Sequence, residues 1–174
     1  MRFVGLVYRA HNPRWAWGPL SGEGARRNGG RFNRRGLPAL YTSLSPLTAI
    51  REASQLGRPL QPVTLCAYEV DAEPIFDGED PEARRTLGVG ESDLDCPHWR
   101  RLMADGKPPA SQALADRLIA EGYVGLRVRS FAPGAGPKEV NMVFWRWGTA
   151  APIRVSVIDE EGRLPSSDAS WRLS

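Results

Sequence analysis

The chain has 174 residues, 41% of them hydrophobic and 25% charged, which is the balance of an ordinary folded domain with one core rather than of a disordered or membrane-embedded chain. Its 23 basic residues against 20 acidic leave a net charge of only +3, so charge alone does not select a nucleic-acid partner. The two cysteines, Cys66 and Cys96, are far apart and form no CxxC pair, which argues against a zinc site or a disulfide framework and for buried free thiols. No run reaches transmembrane length and no basic, cleavable leader precedes the first apolar run, so a single cytoplasmic domain spanning 1–174 is expected.

Residues 3–9 are apolar and β-branched enough for a strand that leads out to Arg9 and His11. From 13 to 36 the chain is rich in Gly, Arg and Asn, shows neither helical nor alternating period, and reads as one long loop of the kind that carries function. A short strand over 37–43 follows. Ser45 is then an N-cap with Pro46 at the first helical position, and Gly57 closes a helix over 46–56. At 100° per residue, Leu47, Ala49, Ile50, Ala53 and Leu56 share an apolar arc, Thr48, Arg51 and Gln55 face away, and Glu52 falls on the boundary. Further strands are expected over 63–71, 123–131, 139–147 and 153–158, with helices over 98–104 and 110–121, the second ended by Gly122. The stretch 73–97 reads as a Pro/Asp/Glu-rich loop. Strands at both ends with helices between them predict an α+β fold with a mainly antiparallel sheet, because the regular β-helix-β alternation of a doubly wound fold is missing.

Several familiar sites are excluded. There is no G-x-x-x-x-G-K-[ST] loop, the glycines at 22, 24, 29 and 30 miss the G-x-G-x-x-G spacing, and only His11 and His98 are available to a hydrolase triad that has no nucleophile elbow. What remains is a block holding Arg9, GGRFN at 29–33, LYTS at 40–43 and Glu52. These types suit a dinucleotide: glycines permit close backbone approach, Arg31 can fork onto phosphate or ribose oxygens, and Tyr41 can stack on a flat ring. A carboxylate such as Glu52, at the edge of an apolar face and just after an arginine-bearing loop, suits the stabilisation of developing positive charge.

The order Y-R, GGRFN, LYTS, AxxE, then LRVRS and NMVFW, resembles the RES domain over residues 8–147. Phe32 stands where many members carry tryptophan. The resemblance matches the family's Arg, Glu and Ser to Arg31, Glu52 and Ser130, and implies a fold like that of the diphtheria-type ADP-ribosyltransferases, a split, mainly antiparallel sheet flanked by helices. It further implies a toxin of a bacterial toxin–antitoxin pair that acts on NAD, with an Xre/ParS-like antitoxin blocking its active site. On that reading Arg31, Tyr41, Glu52 and Ser130 are catalytic, and Arg9, Arg31, Asn33, Tyr41, Glu52 and Ser130 contact NAD, with Ser130 on the nicotinamide side. NAD is a consumed substrate and no metal is expected, because the leaving group is cationic in the substrate and departs neutral. The first expectation is ADP-ribosyl transfer to a cellular protein, for example an enzyme of nucleotide metabolism. NAD hydrolysis or phosphorolysis is the alternative. A non-catalytic, arginine-rich nucleic-acid-binding module is the third reading, and it predicts basic residues along one face rather than one compact site. Direct nucleic-acid binding and membrane attachment are not expected.

Overall fold

Seven strands form one sheet in the order β4-β5-β6-β2-β1-β3-β7, as seen in a computed structural model that describes residues 1–54 and 59–169. β1 (Phe3–His11) pairs antiparallel with β3 (Thr64–Ala72) along its whole length, from Phe3 opposite Ala72 to His11 opposite Thr64, and β7 (Ile153–Val157) adds to the far side of β3. β2 (Leu40–Ser43) pairs with β6 (Val140–Phe144), and β6 with β5 (Gly125–Arg129), again antiparallel. The two halves of the sheet meet at one residue pair, Tyr8 opposite Ser43. β4 (Ile75–Asp77) is the exception to the antiparallel pattern. It runs parallel to β5, because a long helical crossover separates the two strands and returns the chain in the same direction. Asp77 sits opposite Arg127 there, and the two form a 2.8 Å ion pair.

Two stretches expected to be irregular hold short helices. Within 13–36 the chain forms a 3-10 turn at Pro13–Trp15 and α1 (Glu23–Asn28), whose Glu23 carboxylate accepts from Arg26 and Arg27 at 2.7 and 2.8 Å. Six residues with no apolar stripe leave no period to read. Within 73–97 lie β4, α3 (Pro81–Thr86) and α4 (Glu91–Asp95). Asp80 caps α3 by accepting from Glu82 N at 2.9 Å, with Pro81 at the first helical position.

α2 (Pro46–Ala53) starts as expected, with Ser45 Oγ accepting from Thr48 N at 3.1 Å; its expected close at Gly57 lies outside the described residues. The apolar arc needs correcting at its first turn. Leu47 is 73% exposed and Thr48 is buried, because Thr48 Oγ1 lies 2.7 Å from Ser45 Oγ and the cap turns that side inward. α5 (Trp99–Ala104) and α6 (Ala110–Ala120) follow, the latter closed by Gly122 at φ +92°.

Alternation along the strands divides the core into two layers. Met142 and Phe144 of β6 face one side with Val7, Leu40, Tyr68 and Val155, whereas Val143 and the following Trp145 face the other with Phe32, Leu94, Leu114, Leu118 and Val128. Each such large side chain contributes about 1.5–3 kcal/mol by leaving water. α4 and α6 therefore cover the β5-β6-β2 half of one face and leave the same face of β1 more open, where Val4 and Leu6 are exposed. No helix among the described residues is long and apolar enough to cross a membrane.

Candidate active site

The GGRFN segment is built as a rigid turn. Gly29 adopts φ +71°, and Gly30 bridges to Asn33 across the loop. Each carbonyl from Gly30 to Asn33 meets a side-chain donor from elsewhere. Gln112 Nε2 donates to Gly30 O at 2.8 Å and to Asn33 O at 3.1 Å, Ser111 Oγ to Arg31 O at 2.7 Å, and Trp145 Nε1 to Phe32 O at 2.7 Å. Buried polar groups satisfied in this way hold one geometry. The loop thus presents the Arg31 side chain from a fixed backbone.

This construction bears on three expectations. Asn33, expected to contact ligand, is fully buried; its Nδ2 donates to the carbonyls of Ala25, Arg34 and Leu37, and its Oδ1 accepts from Tyr41 Oη at 2.8 Å. Tyr41 Oη in turn accepts from Phe32 N at 2.9 Å, and burial pushes its phenol well above the ordinary range, so the hydroxyl braces the loop while the ring stays partly exposed. The close approach that the glycines permit is to protein rather than ligand, since a Cβ on Gly30 would lie 2.4 Å from Tyr41 Oη and 2.6 Å from Asn33 Oδ1.

Arg31 lies with its guanidinium 4.6 Å over the Phe131 ring, Nη1 donating to Cys96 O at 3.3 Å, and Asp95 at 3.8 Å. Burial pulls its pKa down, opposed by the charges of Asp95 and then Glu52. Both cysteines are buried free thiols, as expected.

Glu52, from α2, reaches the end of β5 and the start of β6. Its Oε1 accepts from Ser130 Oγ at 2.6 Å and from Asn141 Nδ2 at 2.5 Å. Oε2 has no hydrogen bond to protein among the described residues, and the residue is exposed, so one carboxylate oxygen is anchored and the other open. Ser130, expected on the nicotinamide side, is 93% buried and has its hydroxyl on Glu52, while Oγ also accepts from Ala132 N at 3.2 Å. It is at once a turn residue and a holder of the carboxylate.

Arg9 is not brought to this group. Alternation turns it to the face of Val7, Cys66 and Tyr68, opposite to Tyr8 and Ser43, and Nη1 donates to the carbonyls of Pro19 and Ser21, both at 3.1 Å. Burial lowers its pKa there. Its neighbour Tyr8 shares the face of Ser43 and Asn141 instead. His11 sits 3.5 Å from Cys66 Sγ on the Arg9 side, with its pKa lowered to about 4 by burial and then by the Arg9 charge.

Asn141 and Ser43 are the site residues that sequence reasoning missed. Both lie inside recognisable motifs, NMVFW and LYTS; Ser43 is the last residue of β2 and Asn141 the second of β6. Their pairing depends on β2–β6 register, which no local signal reveals. Among the described residues no three of His, Cys, Asp and Glu come together in a way that could hold a metal ion. The arrangement offers one arginine fork, one anchored carboxylate with a free oxygen, and a partly exposed tyrosine ring, which fits an anionic, hydroxyl-bearing ligand with a flat ring.

The RES domain model matches residues 6–167. Proteins named NAD(+) phosphorylase MbcT, from Mycobacterium tuberculosis and from Mycobacterium bovis, are each 29% identical to this chain over 134 residues, covering 71% of this chain and 72% of theirs. In three dimensions the chain is similar to the structure of the Mycobacterium tuberculosis MbcT-MbcA toxin-antitoxin complex, with a TM-score of 0.67 at 22% identity over 91% of this chain and 84% of that one.

Proposed function

Since the chain belongs to the RES domain family, we propose that it is the NAD-cleaving toxin of a toxin–antitoxin pair, acting in the cytoplasm on a fold of the ADP-ribosyltransferase kind. The near-split of the sheet at the single Tyr8–Ser43 pair supports that fold label. The observation that carries the activity is Glu52 itself, fixed through Oε1 by Ser130 and Asn141 and open at Oε2.

NAD binds with its pyrophosphate on the Arg31 fork and its nicotinamide ribose at Glu52, and the Tyr41 ring flanks it. The C1′–N bond breaks, its electron pair stays with the pyridine nitrogen, and nicotinamide leaves neutral. Oε2 accepts a ribose hydroxyl and stabilises the oxocarbenium charge on C1′ more than it stabilises the ground state. An oxygen of the acceptor then bonds to C1′. The name of the MbcT relatives favours inorganic phosphate as acceptor, giving ADP-ribose 1-phosphate, over the protein acceptor that the resemblance first suggested. Many of the arginines are already paired, including Arg2, Arg26, Arg34, Arg51, Arg84 and Arg127 with nearby carboxylates, which disfavours a continuous basic face for nucleic acid.

The test is to incubate the purified protein with adenine-labelled NAD, with and without inorganic phosphate, and with cell lysate. Phosphate-dependent release of nicotinamide together with ADP-ribose 1-phosphate is expected. Label in a protein band would restore the transfer reading, free ADP-ribose without phosphate would indicate hydrolysis, and no released nicotinamide would reject NAD cleavage.

A further inference from the structure

We propose that Asn141, itself oriented by Ser43, is the positioning residue that sets Glu52 for the reaction; this rests on the reading of Glu52 as the carboxylate facing the ribose. The chain of contacts is directional. Ser43 Oγ donates to Asn141 Oδ1 at 2.7 Å, and Asn141 Nδ2 donates to Glu52 Oε1 at 2.5 Å. A carboxylate can only accept here, so the amide must offer its nitrogen, and an amide free to turn would at times offer its oxygen and repel Glu52. Ser43 removes that freedom. It is 2% exposed and directly opposite Asn141 in the β2–β6 ladder, where the two side chains stand on the same face within reach of each other.

The second donor to Oε1, Ser130 Oγ, reaches Glu52 from the end of β5, where Ser130 N donates to Glu139 O at 2.7 Å and so continues the β5–β6 pairing beyond Asn141. Two neighbouring strands therefore grip the same carboxylate oxygen, and the grip determines where Oε2 points. Charge-assisted bonds of this kind are strong, and a charge already held in place needs no rearrangement when the transition state forms. Asn141 and Ser43 touch no reacting atom in this account. They act through Glu52.

The test combines kinetics with a signal that does not depend on turnover. Asn141→Ala should lower kcat about ten- to a hundredfold, by analogy with the loss when a residue that orients a metal ligand is removed, with KM for NAD close to wild type. Asn141→Asp keeps the shape but sets a second carboxylate against Glu52, so its kcat should fall further than that of the alanine variant, an order that packing alone would reverse. Ser43→Ala should lower kcat by a smaller factor. In 15N-labelled full-length protein, the Asn141 side-chain amide should resonate downfield and shift back in both Ser43→Ala and Glu52→Gln. Wild-type kcat in Asn141→Asp, or an amide signal unmoved by Glu52→Gln, would overturn the proposal. If the wild-type protein releases no nicotinamide, the NAD reading fails, and the amide signal alone decides whether Ser43 and Asn141 hold Glu52.

Discussion

Glu52 and Ser130 are 78 positions apart in the chain, yet Ser130 Oγ donates to Glu52 Oε1 at 2.6 Å and so ties the helix after β2 to the end of β5. With Oε1 held, Oε2 is the oxygen left open, and the proposed function sets it against the substrate. Glu52→Gln keeps the shape but removes the charge, so turnover of NAD should fall roughly a hundredfold or more while the melting temperature stays near wild type. Near wild-type nicotinamide release by this variant would remove Glu52 from the mechanism.

Arg31→Lys retains a positive charge but loses the fork and the guanidinium contact over the Phe131 ring. NAD binding should weaken about tenfold, equivalent to about 1.4 kcal/mol, when measured by calorimetry in a Glu52→Gln background where turnover does not interfere. Equal affinities would place the pyrophosphate elsewhere.

Tyr41→Phe separates the hydroxyl from the ring. The change leaves Phe32 N and Asn33 Oδ1 without their partner, so thermal or urea unfolding should show a loss of about 1–3 kcal/mol, whereas KM for NAD should change little because the ring remains. A raised KM with unchanged stability would instead put the hydroxyl on the substrate.

His11 makes stability depend on pH in a defined direction. Its folded-state pKa is lowered from 6.5 to about 4, first by burial and then by Arg9, so the folded chain favours the neutral ring. The contribution is complete above the unfolded value of 6.5, is lost as pH falls towards 4, and falls no further below that, where both states are protonated. Allowing for solvent screening of a partly exposed ring, the loss across the window should be about 1 kcal/mol. Melting temperatures of wild type and His11→Asn on either side of the window check this, and equal slopes for the two would show that another group titrates.

Expression without its antitoxin should arrest growth and deplete cellular NAD, and co-expression should prevent both. On the proposed function, the Arg31 guanidinium suits an acidic or carboxylate-bearing segment of the partner. Deleting that segment should restore NAD turnover even where the two proteins still associate. Full protection by the truncated partner would locate inhibition away from Arg31, and harmless soluble expression alone would count against toxicity.

Features with a local cause were legible from the sequence alone: the Ser45–Pro46 start of α2, the Gly122 close of α6, the β1 and β3 strands, and the motif order that matched Arg31, Glu52 and Ser130 to one family. Each depends on caps, periods or spacings within a few residues. Period was silent for the six-residue α1 and the three-residue β4, which are too short to display one. Tertiary structure decided which faces meet. Alternation shows that Tyr8 and Arg9 point opposite ways, but only the pairing of Tyr8 with Ser43 puts Tyr8 on the Glu52 side and Arg9 beneath the sheet. The same holds for Ser43 and Asn141, 98 positions apart, whose contact exists because β2 and β6 pair in one register; a slip of one residue would turn Asn141 to the other face and leave Glu52 with Ser130 alone.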